Sequence, residues 1–164
     1  MKILALGSNL KFNNNSPLEN IESAYEYLER SNIKILQKSH IYQSEAYPNK
    51  SDPIFCNSAV SIETNLNPFD LLNKILEIER LFGRVRKEKN NPRTLDIDII
   101  CYDNVILNQE NLKIPHPFLQ KRPFVFLPIR DLDENWIHPI LLKTIDQICK
   151  EFSMDELNKV KKIK

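Results

Sequence analysis

Glycine is nearly absent: Gly7 and Gly83 are the only two in 164 residues. The chain has no G-x-x-x-x-G-K-[ST] run, so no glycine-rich cradle can hold a phosphate, and any phosphate bound here must be met by arginine and metal. Cysteine is sparse as well. Cys56, Cys101 and Cys149 are odd in number, far apart and without paired metal-ligand spacing, a pattern that reads as buried free thiols and not as a metal or redox site. An excess of either charge is missing too. With 23 Lys and Arg against 22 Asp and Glu, the net charge is +1. Bulk electrostatics therefore give no reason to expect a nucleic-acid or membrane partner, and any basic site must be local. No apolar run approaches the roughly 20 residues of a membrane span, and the apolar start MKILALGSNL is too short for a signal peptide. The expected location is the cytoplasm.

What is present fits one globular domain over residues 1–164: 41% of residues are hydrophobic and 27% charged, enough for a real core. KILALGS is a short β-rich run ended by Gly7-Ser8-Asn9. In SPLENIESAYEYLER, Ser16 and Glu19 have capping-box spacing and Pro17 takes the first helical position. Leu18, Ile21, Tyr25 and Leu28 then recur on one face, which predicts a helix. IKILQKSHIYQS and IFCNSAVSIET read as two strands joined by EAYPNKSDP, a loop too long for a tight hairpin and suited to a ligand. Asn67 and Pro68 open a second helix, with an apolar stripe of Leu71, Leu72, Ile75, Ile78 and Phe82 that Gly83 stops. RVRKEKNNPR is a basic loop, TLDIDIICY a strand, and the rest shorter pieces: VILNQENLKIPH, a Pro-rich turn, and a final helix around LLKTIDQICKEF. The βαββαβ order is the split βαβ arrangement of a ferredoxin-like α+β domain, an antiparallel sheet with helices packed on one face, plus C-terminal additions.

The most informative segment is NPRTLDIDII, residues 91–100. Strand alternation puts Asp96 and Asp98 on one face and Leu95, Ile97, Ile99 and Cys101 on the other. Two carboxylates so close repel unless cations sit between them. A lone Asp-x-Asp is compatible with a solvated strand face, but Arg84, Arg86, Lys87, Lys89 and Arg93 lie immediately upstream. Carboxylates suited to Mg²⁺ and arginines matched to phosphate oxygens together describe a nucleotide-triphosphate site.

ALGSNL, GRVR followed by PRTLDIDI, and IPHP followed by KRPFVFLPI resemble, in the same order from residue 3 to about residue 130, the 6-hydroxymethyl-7,8-dihydropterin pyrophosphokinase family of folate biosynthesis. The resemblance implies transfer of the β,γ-pyrophosphoryl group of ATP to the pterin hydroxymethyl oxygen, with AMP released and two Mg²⁺ ions. It implies that Asp96 and Asp98 hold the metal and that Arg84 and Arg93 stabilise charge on the transferred phosphates. It assigns Arg86, His116 and Arg122 to ATP phosphates and Glu79 to the nucleotide side. Phe55 and Asn57, two apart in a strand, correspond to an aromatic and an amide that stack on and hydrogen-bond the pterin, and Phe124 to a second aromatic across the ring. A monomer with small-molecule substrates is expected. The chain departs from the family in three places. KEKNN lacks the loop arginine and tryptophan that members commonly carry, leaving Lys89 as the substitute cation. Pro117 stands where a tyrosine is common, and QSEAYPNK keeps little beyond its proline.

Two readings from other classes compete. A ferredoxin-like RNA-binding module would stack bases on strand aromatics and meet phosphates with RVRKEK, but Asp96 and Asp98 put negative charge on that face. A metal-dependent phosphohydrolase could use the same carboxylates; the aromatic positions argue against it.

Overall fold

The structure, a computed structural model, describes residues 1–47, 49–84 and 92–164. The first two helices begin where their sequence signals say. Helix α1 (Pro17–Arg30) follows Ser16, whose backbone N–H donates to the Glu19 carboxylate at 2.7 Å while its hydroxyl accepts the Glu19 N–H. That closes both halves of a capping box. Helix α2 (Pro68–Leu81) follows Asn67, whose side-chain oxygen accepts the Phe69 and Asp70 N–H groups at 3.0 Å each. It ends at Gly83, with φ +70°, where an added Cβ would come within 2.8 Å of the Phe12 ring. Gly83→Ala therefore meets both a left-handed backbone and a ring, and should lose about 1–2 kcal/mol. Urea denaturation checks this; an unchanged midpoint would contradict it.

The sheet contains β1 (Lys2–Ser8), β2 (Lys34–Lys38), β3 (Tyr42–Ser44), β4 (Phe55–Glu63) and β5 (Asp96–Tyr102). Its order is β5-β1-β4-β3, its pairings among the described residues are antiparallel, and β2 also pairs with β4 further along. The stretch expected as one strand is two. Between them Ser39 takes over the ladder: its backbone N–H donates to the Ala59 carbonyl and its hydroxyl accepts the Ala59 N–H, both at 2.9 Å. The chain bends there and still pairs with β4 on both sides.

Helices α1 and α2 cover one sheet face, over Leu4, Leu6, Val60, Ile97 and Ile99. The C-terminal additions cover the other: Ile3, Ala59, Ile100 and Cys101 pack against Phe126 and Ile129 of helix α3 (Pro123–Leu132) and Ile145 and Ile148 of helix α4 (Ile145–Cys149). The second layer corrects two expectations. Cys101 does not share a face with Ile97 and Ile99. The register against β1 slips between Ile3 and Leu4, so Ile3 faces Cys101 and Leu4 faces Ile99. The residue left over, Ile100, is a bulge that resets the alternation. The Pro-rich stretch expected as a turn contains α3, which starts on Pro123 and tolerates Pro128 in its interior. Pro128 forfeits one helical hydrogen bond, yet it is buried with Val125, Phe126, Ile129 and Leu132 against the sheet. Packing outweighs the propensity cost.

The remaining pieces are a hairpin of β6 (Leu107–Asn108) and β7 (Lys113–Ile114), a short helix α5 (Met154–Asn158), and β8 (Lys161–Lys162), which pairs with β3 at the sheet edge. Cys56 and Cys101 are buried free thiols and Cys149 is half-buried and free. Among the described residues no helix is long and apolar enough to cross a membrane.

Candidate active site

The site grows from the end of β1. Ser8, Asn9 and Asn20 are buried polar residues, and all three are used on backbone. The Ser8 hydroxyl donates to the Thr94 carbonyl at 2.6 Å, and Asn20 donates to the same carbonyl at 3.1 Å and to that of Leu10 at 2.9 Å. Asn9 accepts the Arg93 N–H at 2.7 Å and donates to the Pro53 carbonyl at 3.0 Å. The Asn9 and Leu10 N–H groups both reach the Arg93 carbonyl, at 3.0 and 3.1 Å. These bonds replace the water that buried backbone would otherwise lose. They fix the entry to β5, and with it Arg93 and Asp96, against the segment leading into β4.

On that scaffold sits a cluster of charge. Asp96 is gripped from both sides: Arg84 reaches one carboxylate oxygen at 2.5 Å and Arg93 the other at 2.6 Å. Arg84 also pairs with Glu79, which is 2% exposed and accepts the Ile97 N–H at 2.8 Å on the outer edge of β5. Glu79 therefore stands behind Arg84 in the protein wall. A buried carboxylate is tolerable there because Arg84 and the Ile97 N–H hydrogen-bond it. Asp98 differs. Burial, then the charges of Asp96 and Glu79, push its carboxyl up to about 7, although 45% of the side chain still faces the cleft. Clustered acids facing an opening are poised for an incoming cation.

His116 lies across from this cluster, its Nε2 3.9 Å from an Asp98 oxygen. Burial, then the Arg122 charge, holds the ring down to about 4, so it is neutral at pH 7. Its Nδ1 accepts the Phe118 N–H at 3.3 Å, which leaves the proton on Nε2, pointing toward the carboxylates as a donor. The 3.9 Å approach is thus a neutral contact and not an ion pair. Arg122 lies over the Phe118 ring, 4.8 Å from its centroid, and 5.9 Å from that of Phe124. Stacking of this kind leaves the guanidinium edge available for an anion.

Beside the charges is a slot. Its floor is made by small residues, Ala5 and Gly7 of β1, next to Phe55 and Asn57 of β4, and α3 contributes Phe124. Gly7 stands opposite Asn57 in the ladder. Asn57 donates to the Ser44 hydroxyl at 2.9 Å, which fixes its amide plane and leaves its oxygen and second N–H for a flat partner.

Seven of the eleven residues singled out from sequence line one cleft: Phe55, Asn57, Arg93, Asp96, Asp98, Arg122 and Phe124. Arg84 joins through Asp96, His116 approaches Asp98, and Glu79 lies behind. Arg86 and Lys89 fall outside the described residues. Sequence reasoning did not single out Ser8, Asn9, Asn20 and Ser44 by role. The first two sit in the quoted ALGSNL run, and Asn20, an amide beside the apolar stripe of α1, was a detectable irregularity. Ser44 gave no signal. Among the described residues no three His, Cys, Asp or Glu side chains form a ready metal cage.

Comparison with known proteins shows the family. Residues 3–134 match the family model described as 7,8-dihydro-6-hydroxymethylpterin-pyrophosphokinase. The protein named 2-amino-4-hydroxy-6-hydroxymethyldihydropteridine pyrophosphokinase of Haemophilus influenzae is 34% identical over 158 residues, 96% of each chain. Its namesake in Synechocystis sp. is 37% identical over 150 residues, 91% of this chain and 74% of that one. The folic acid synthesis protein FOL1 of Dictyostelium discoideum is 39% identical over 145 residues, 88% of this chain, which spans only 21% of that longer protein. The fold is shared with the Plasmodium falciparum HPPK-DHPS wild type, with a TM-score of 0.73 at 16% identity over 99% of this chain and 46% of that one. The chain belongs to the 7,8-dihydro-6-hydroxymethylpterin-pyrophosphokinase family.

Proposed function

We propose that this chain transfers the pyrophosphoryl group of ATP to the hydroxymethyl oxygen of 6-hydroxymethyl-7,8-dihydropterin, giving the pterin diphosphate and AMP in folate biosynthesis. The supporting observation is the convergence in one cleft of an aromatic-amide slot (Phe55, Asn57, Phe124) with a carboxylate-arginine cluster (Asp96, Asp98, Arg93, Arg122). The slot suits a flat ring with a polar edge. The cluster suits a triphosphate, and their contiguity places a ring substituent beside it. Catalysis then consists of holding the hydroxyl in line with the β-phosphorus and stabilising phosphate charge. His116 serves as a neutral N–H donor, and Arg84, Arg93 and Arg122 as cations for the phosphates.

The residues fit Mg²⁺. Asp98 is raised by burial and, after it, by the charges of Asp96 and Glu79, which a divalent ion relieves, and Asp96 and Asp98 offer hard oxygen donors while leaving the remaining positions to phosphate and water. Two ions held there would neutralise the phosphates across which charge develops. In the structure both oxygens of Asp96 are taken by Arg84 and Arg93. Binding of metal and nucleotide thus requires the arginines to exchange carboxylate for phosphate.

The same placement weighs against the rivals. Asp96 and Asp98 face the slot that a base-stacking RNA module would use, and a phosphohydrolase has no use for Phe55 and Asn57 there. The reading extends to a single domain over residues 1–164 that works as a monomer in the cytoplasm, where free thiols such as Cys56, Cys101 and Cys149 persist. Asn57→Ala tests the slot. Pterin affinity should fall about tenfold or more, the cost of leaving a polar ring edge unpaired, with ATP affinity within about twofold. Calorimetry that finds both affinities equally reduced would give Asn57 a structural role instead.

A further inference from the structure

The slot is bounded by elements that touch the ligand site only at their ends, and one polar side chain joins them. Asp131, in the last turn of α3, accepts on a single oxygen from the His40 backbone N–H at 3.0 Å, His40 Nδ1 at 2.9 Å and the Tyr42 hydroxyl at 2.9 Å. His40 lies in the bend before β3, and Tyr42 is its first residue. A carboxylate in the last turn of a helix opposes the helix dipole and costs that helix about 0.3–1 kcal/mol. Its place therefore owes nothing to α3 itself and requires a partner outside it.

What it joins are the two sides of the slot. Tyr42 and Ser44 stand opposite Asn57 and Phe55 in the β3–β4 ladder, and Ser44 accepts the Asn57 amide at 2.9 Å. Phe124 lies seven residues before Asp131 on the same helix, about 10 Å along the axis at 1.5 Å per residue. A small pivot at Asp131 therefore shifts the ring of Phe124 relative to Phe55 and Asn57. The far edge of β3 is held separately, by β8, through Tyr42 opposite Lys162 and Gln43 opposite Lys161. Of the phosphate cluster, Arg84, Arg93, Asp96 and Asp98 lie on β5 and the segments entering it, which Asp131 does not touch; Arg122, the N-cap of α3, is the one member that this helix carries, so an effect on ATP is limited to that contact.

We infer that Asp131 is a positioning residue for the pterin slot, setting the separation of Phe124 from the Phe55–Asn57–Ser44 side by clamping β3 to the end of α3. The inference rests on the reading of that slot as the pterin site. Asp131→Ala should raise the pterin Kd and KM about five- to twentyfold, while kcat at saturating pterin and the ATP Kd stay within about threefold. Asp131→Asn, which keeps an acceptor oxygen, should recover most of the loss, and Tyr42→Phe, which removes one of the three donors, should fall between. If Asp131→Ala does not fold, the Tyr42→Phe and Asp131→Asn pair carries the same graded test. Pterin and ATP affinities that move together, or a lowered Tm with both unchanged, would overturn the inference. Should wild-type protein show no dihydropterin binding by calorimetry, it is the reading of the slot that fails, and the clamp with it.

Discussion

Asp98→Ala is expected to lower kcat by roughly a thousandfold or more at saturating Mg²⁺, the rate equivalent of losing several kcal/mol of charge stabilisation on the transferred phosphates. The fold should gain where activity is lost. In the metal-free protein the Asp98 carboxyl sits at about 7, raised from 3.8 by burial and by Asp96 and Glu79. The unfolded chain gives up this proton first as pH rises, so the group increasingly disfavours the native state between about pH 4 and 7, and the penalty is complete above 7. Asp98→Asn in the presence of EDTA should therefore raise Tm more at pH 8 than at pH 5. Equal gains at both pH values would contradict the raised Asp98 carboxyl. Asp96→Ala should be equally inactive but less stable, because Asp96 carries two arginine contacts. Either variant keeping near wild-type turnover would remove the carboxylates from the chemistry.

Arg84→Ala and Arg93→Ala are expected to lower kcat by about a hundred- to ten-thousandfold, in the range of other arginines that meet a phosphoryl transition state. ATP and pterin dissociation constants should change far less. Both guanidiniums are engaged with Asp96, so moving them onto phosphate in the ground state gains little net charge pairing. The gain comes when charge develops during transfer. The two variants differ in stability. Arg84→Ala leaves Glu79, 2% exposed, without one of its charged partners and should cost about 3 kcal/mol; the described ion pair of Arg93 is with Asp96, which is 22% exposed. ATP affinity falling as steeply as rate would mean that the arginines bind the ground state.

The sequence-legible parts of this protein are those with local causes. The caps at Ser16 and Asn67, the stop at Gly83 and the alternation that puts Asp96 and Asp98 on one face are set by residues within a few positions of each other. The motif residues converge because the strands that carry them, β1, β4 and β5, are neighbours in the sheet. What was not legible depends on partners far away in the chain. Helix α3 survives Pro128 because the sheet lies beneath it. Cys101 changes face because of a bulge that only the register against β1 reveals. The burial of Glu79 behind Arg84 depends on β5, whose outer edge offers it the Ile97 N–H. Ser8, Asn9 and Asn20 read as loop and helix polarity, and their work on the Arg93–Thr94 backbone spans more than 70 residues of sequence.

The central claim is that the cleft joins a pterin alcohol to the β-phosphorus of ATP. The most direct test is to incubate the protein with Mg²⁺, ATP and 6-hydroxymethyl-7,8-dihydropterin and identify the products by chromatography and phosphorus NMR. AMP released in equal amount with a pterin carrying two phosphorus atoms is the predicted result. ADP with a pterin monophosphate, or phosphate release that does not need the pterin, would contradict it.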